Sequence, residues 1–138
     1  MIEALAITHS LLLGSMLFFA AIVAPSVFHY LPAKEAGVFL RGLFPRYYLW
    51  GIVLSLVMTV LAFFVEPWLM VSSLLVLLLF VASRQFLMPA INKYRDLAKQ
   101  SDPVASKKFA RLHRASVIIN LVQMLILLNI TMYLARLL

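Results

Sequence analysis

The sequence predicts an all-α fold: an integral membrane four-helix bundle running up and down, with both termini outside and a short interfacial helix in the first cytoplasmic loop. Three observations predict it. Hydrophobic residues make up 64% of the 138-residue chain and charged ones 12%, with a mean hydropathy of +1.02, whereas soluble domains carry about a quarter charged residues. Four apolar stretches reach the roughly 20 residues that a helix needs to cross a bilayer. Eleven of the twelve Lys and Arg residues fall in two loops that alternate with those stretches. Backbone N–H and C=O groups in lipid must be paired within each span, so a helical bundle is the simplest solution. A single four-span transmembrane domain then occupies residues 1–138, with spans at about 2–31, 47–65, 68–89 and 112–137.

The first apolar run, Ile2 to about Leu31, is longer than a signal-peptide core and opens with Glu3 where such a peptide is basic. It reads as a retained helix. Between Pro32 and Pro45, Val38, Phe39, Leu40, Leu43 and Phe44 mix with Lys34, Glu35 and Arg41, a composition suited to a short helix lying in the interface. The second span starts at Tyr47, and Glu66 and Pro67 make a tight turn into the third, which starts at Trp68. Past Pro89, the residues Asn92, Lys93, Tyr94, Arg95, Asp96 and Lys99 give a solvated face that carries the third helix on as a stalk. Asp102 then suits the N-cap of the last helix, with Pro103 at its first position.

Charge sets the orientation. Lys34, Arg41 and Arg46 lie in the first basic loop, and Arg84, Lys93, Arg95, Lys99, Lys107, Lys108, Arg111 and Arg114 in the second, leaving only Arg136 elsewhere. The positive-inside rule puts both loops in the cytoplasm, as in a bacterial inner (plasma) membrane protein. Tyr47, Tyr48 and Trp50 fit an inner aromatic belt, and Trp68 and Tyr133 an outer one. The net charge of +7 would suit nucleic acid if the cations lay on a soluble face. Here they flank apolar spans, so no nucleic-acid partner is expected. The absence of cysteine excludes disulfides, thiolate metal sites and cysteine nucleophiles.

In lipid, apolar faces gain nothing by leaving water, so helices associate through small residues and buried polar groups. Gly51, Ser55 and Thr59 recur every four residues on the second span, as do Ser10 and Gly14 on the first. At roughly 100° per residue, His113, Ser116, Asn120 and Gln123 share a sector of about 80° on the last helix. That face is polar for three turns into the span and belongs against the bundle interior or a water-filled cavity. Interhelical hydrogen bonding and ligand binding both fit it. Arg84 fits two positions: snorkelling to the inner boundary, or pointing inward to pair with Asn120 or Ser116.

His9 and His29 are twenty residues apart, about 30 Å along a helix, so they cannot share a site. His9 lies at the outer level with Met58, Met70 and Met132, where imidazole and thioethers suit monovalent copper; methionine in apolar helices is also ordinary packing. Haem b or copper on His9 is the alternative to the leading expectation of no cofactor. His29 and His113 share the inner level, where they can titrate, bind an anion beside the Arg residues, or simply be solvated. No carboxylate pair, nucleophile elbow, phosphate loop or metalloprotease motif occurs, which disfavours an enzyme.

Leu43, Phe44, Pro45, Arg46, Tyr47 and Tyr48, then Pro89, Asn92 and Arg95, then Phe109, His113, Ser116 and Asn120 together resemble the transmembrane protein 205-like family, also called domain of unknown function 4149. Met88 departs from the polar residue expected before Pro89. The resemblance implies a small four-helix membrane protein of unestablished activity. More distantly, His9, Gly14, Pro25, Phe28 and His29 resemble the first helix of copper-resistance D proteins and HemJ-type protoporphyrinogen oxidases. The leading expectation is a protein that binds or passes a small solute or ion through a polar cavity at the cytoplasmic end. The alternatives are the haem- or copper-handling protein just described, and an accessory or homo-oligomeric subunit that docks another membrane protein.

Overall fold

A computed structural model describes all residues, Met1–Leu138. The chain is entirely helical, in the order α1 (Ile2–Phe18), a π-helical turn (Phe19–Val23), α2 (Ala24–Tyr30), α3 (Ala33–Phe63), α4 (Pro67–Ala82), a second π-helical turn (Ser83–Leu87), α5 (Met88–Ala98) and α6 (Pro103–Leu137). Each π turn joins the helices on either side, so the chain forms four long rods, Ile2–Tyr30, Ala33–Phe63, Pro67–Ala98 and Pro103–Leu137. All four are long and apolar enough to cross a membrane.

Prolines account for the two π turns. A proline inside a helix lacks the N–H that would bond the carbonyl four residues back, and its ring crowds that carbonyl. Widening the preceding turn relieves the conflict, and Pro25 and Pro89 each sit just past a π turn. Pro45 also lies inside a helix. The expected short helix before it therefore forms, but it continues without a break through Pro45 into the second span. At the other end of the third rod, Asp102 caps α6 as expected, its carboxylate accepting from the N–H groups of Val104 at 3.0 Å and Ala105 at 3.3 Å.

The rods form a closed ring. α1 packs on α3 and α6, and α4 packs on the same two helices, while α5 pairs with α6 as a hairpin. Only 24 of the 138 residues are buried, and large apolar side chains such as Leu11, Phe18, Val57, Leu78 and Leu125 lie exposed around the circumference. So wide an apolar surface requires lipid as its solvent; the chain is an integral membrane protein.

Packing uses the small residues on α3. Gly51 and Ser55 are buried, and a Cβ at Gly51 would overlap the Phe80 ring of α4. The matching stripe on α1 does not serve this purpose. Ser10 and Gly14 are exposed, and a Cβ at Gly14 would meet nothing, because α1 turns the opposite face, with Leu5, His9, Leu12 and Met16, toward the core. Spacing alone identifies a stripe without saying which way it faces.

Candidate functional site

At the end of the bundle where the basic residues gather, the ring opens. α1 packs against α6, but past the π turn α2 packs on α3 and makes no comparable contact with α6. The gap leaves a cavity of about 750 Å³, within the range of sites that take small molecules. α2 and the preceding turn supply Phe19, Ala20, Ala24 and Phe28. α3 supplies Lys34, Leu40, Phe44, Tyr47 and Tyr48; α5 supplies Met88, Asn92 and Arg95, with Lys99 just past its end; and α6 supplies Phe109, His113, Ser116, Val117, Asn120 and Leu121.

The polar face of α6 divides at this cavity. His113, Ser116 and Asn120 line it, whereas Gln123, one turn deeper, is buried and donates from Nε2 to the Val76 carbonyl of α4 at 3.2 Å. Gln123 thus joins helices. Ser116 turns its hydroxyl back to the His113 carbonyl at 2.6 Å. Asn120 accepts a 2.9 Å bond from the Tyr47 hydroxyl, and its amide nitrogen meets only the Met124 sulfur at 3.5 Å. A thioether is a weak acceptor, so this amide retains donor capacity beside the cavity.

Arg84 pairs with neither Ser116 nor Asn120. It lies in the second π turn, half-buried, with Nε 3.4 Å from the Pro45 carbonyl of α3. Of the two positions open to it, inward pairing is not made: Arg84 lies on the α3 side of its rod, and Tyr47 bonds Asn120 instead. Tyr47 and Tyr48, expected in an interfacial belt, instead pack inward among Phe19, Phe44 and Phe80; Phe19 and Tyr47 stack with centroids 4.5 Å apart.

The cavity's charges are all of one sign. Lys34, Arg95 and Lys99 line it, with no aspartate or glutamate among the lining residues. The chain's one ion pair, Arg41 to Asp96 at 2.8 Å, uses other residues, and Arg41 also donates to the Asn92 carbonyl at 3.2 Å. Arg95 sits in the polar part of α5, beyond the apolar span, with its guanidinium 5.5 Å from the Phe109 ring centroid. Phe109 in turn stacks on His113, centroids 6.1 Å apart. His29 lies outside the cavity, its ring edge-on to Tyr30.

The residues considered for copper or haem do not converge. His9 is buried, with Nε2 2.8 Å from the Thr131 hydroxyl and no partner at Nδ1. Met58 is buried in the core and Met70 half-buried against it, but Met132 is 62% exposed. No three histidine or acidic side chains cluster. Exposed Met132 does not join buried His9 and Met58, so the four donors are not brought to one site.

Among the expected family positions, Phe44, Asn92, Arg95 and Phe109 line the cavity with Tyr47, while Pro45 and Pro89 shape the helices that carry them. Lys34, Lys99 and the α2 wall come from parts of the chain read from sequence only as connection, flank or span. Neither the curated proteins nor the solved structures include a match to this chain. A family model does match, over residues 7–100, which takes in most of α1 and all of α2 to α5 but stops short of α6 with His113, Ser116 and Asn120. Covering well over half of the sequence, that match shows that the chain belongs to the family described as domain of unknown function (DUF4149).

Proposed function

We propose that this membrane protein binds or passes a small solute or ion through the cavity at its basic end, and that this end faces the cytoplasm of a bacterial inner membrane. The supporting observation is the cavity wall itself. Three cationic side chains and the Asn120 amide, held only by a weak thioether acceptor, border about 750 Å³ with no carboxylate among the lining residues. Cations bordering the cavity with no carboxylate beside them give it a positive potential, which favours a negatively charged occupant. The orientation rests on the loop charges. The transmembrane protein 205-like character belongs to this proposal as well.

Ligand-induced stabilisation tests the reading. Purified protein is screened by thermal unfolding against small anions, cations and neutral solutes, alongside His113→Ala and Asn120→Ala. The expected result is a saturable rise in melting temperature with an anionic solute that either variant reduces at unchanged folded yield. Loss of folded protein in both variants, with no stabilising solute for the parent, would assign this face to helix packing.

A further inference from the structure

We infer that the occupant is an anionic amphiphile with a single alkyl chain, which enters sideways from the membrane leaflet between α2 and α6. This rests on reading the cavity as a ligand site and specifies what that site takes. Three features of the cavity support it.

The first is polarity ordered along its length. The cations lie at one end: Lys34 is on the first turn of α3, Arg95 is on the last turn of α5 and Lys99 caps that helix. The deeper wall is built from apolar side chains such as Phe19, Ala20, Phe44 and Leu121, relieved only by Tyr47, Tyr48, Ser116 and Asn120. A small hydrated anion has no use for the deeper part, and a neutral apolar molecule has none for the cations. A molecule with a charged head and an alkyl tail uses both.

The second is length. On α6 the wall runs from Phe109 to Leu121, twelve residues or roughly 18 Å at ~1.5 Å per residue. That is a little over half of the ~30 Å hydrocarbon core, the depth of one leaflet.

The third is the opening. Phe28, Val117 and Leu121 are 64%, 46% and 52% exposed, yet all three line the cavity. They form its mouth on the outer circumference of the bundle, where α2 leaves α6. In a membrane that mouth meets acyl chains, so a leaflet amphiphile reaches the cavity without crossing water.

The test uses the full-length protein in phosphatidylcholine vesicles with a trace of hexadecyl phosphate bearing a diazirine on its chain. After photolysis, labelled residues are mapped by mass spectrometry. The expected labelling concentrates on the facing walls, residues 20–28 and 117–121. Excess unlabelled hexadecyl phosphate abolishes it, and the same amount of hexadecyltrimethylammonium leaves it intact. Arg95→Gln with Lys99→Gln should lower it at least fivefold. Val117→Trp, which plugs the mouth and leaves the charges in place, should do the same at normal folded yield. Unsaturable label spread over outward residues of all four rods would overturn the inference, as would equal competition by the cationic amphiphile. Stabilisation by inorganic phosphate without site-specific label would overturn it too, while leaving the cavity as a small-anion site. Absence of both signals would remove the cavity reading with it.

Discussion

The Tyr47 hydroxyl donates a 2.9 Å hydrogen bond to Asn120 Oδ1, joining α3 to α6 across the diagonal of the helix ring. The ring's other contacts join adjacent helices, but this bond spans the interior at the floor of the cavity. A double-mutant cycle with Tyr47→Phe and Asn120→Leu should therefore show coupling in unfolding free energy of about 0.6 kcal/mol, the average for interhelical hydrogen bonds in membranes, and at most ~1.7. Strictly additive effects would mean that the two side chains do not act together.

Gly51 carries the sharpest packing prediction. Because a Cβ there would overlap Phe80, Gly51→Ala should destabilise the bundle by roughly 1–3 kcal/mol, the usual cost of overpacking. Phe80→Leu in the same chain should recover part of the loss. Gly14→Ala has open space around it and should stabilise the bundle by roughly 0.4–1 kcal/mol, since alanine is the better helix former. Thermal unfolding in detergent compares the three; equal effects at Gly14 and Gly51 would contradict the assigned helix faces.

Asp102 holds the start of α6 through two backbone N–H groups. Asp102→Ala should cost about 0.5–2 kcal/mol, while Asp102→Asn, which keeps an acceptor at the cap, should cost less. Hydrogen exchange at Val104 and Ala105 would report the fraying directly, and unchanged protection in the alanine variant would remove the cap from the account.

The Arg41–Asp96 pair should matter little for stability. Its side chains are 41% and 53% exposed, a setting in which ion pairs contribute less than about 1 kcal/mol and are screened by salt. Asp96→Asn should move the melting temperature by no more than a few degrees, and the difference should shrink as salt is raised.

Much of this architecture was legible in the sequence because hydropathy and loop charge act locally. The four rods follow from apolar length, and the α6 start from Asp102 and Pro103. The polar face of α6 followed from helical period, which brought His113, Ser116 and Asn120 together. Period alone does not tell where a helix passes from a cavity to a packed core, so Gln123 was grouped with them although Val76 claims it. Tyr47 read as an interfacial aromatic; the signal available was its hydroxyl, which must find a partner when buried. The α2 wall could not be read, because it depends on how the π turn before Pro25 steers α2 away from α6. The faces of Arg84 and Met132 stayed open for a related reason: a helix face is assigned by its neighbours, and these arise only on folding.

The central claim, a cavity at the basic end open to ligands, is tested most directly by cysteine accessibility. The natural chain has no cysteine, so Ser116→Cys provides a single reporter in the cavity wall and Gln123→Cys one in the packed core. In sealed vesicles of known orientation, a charged, membrane-impermeant thiol reagent should modify the first rapidly from the side bearing the basic loops and only slowly from the other. The second should stay protected from both sides. Equal protection at both positions, or labelling of Ser116→Cys only from the opposite side, would contradict the account.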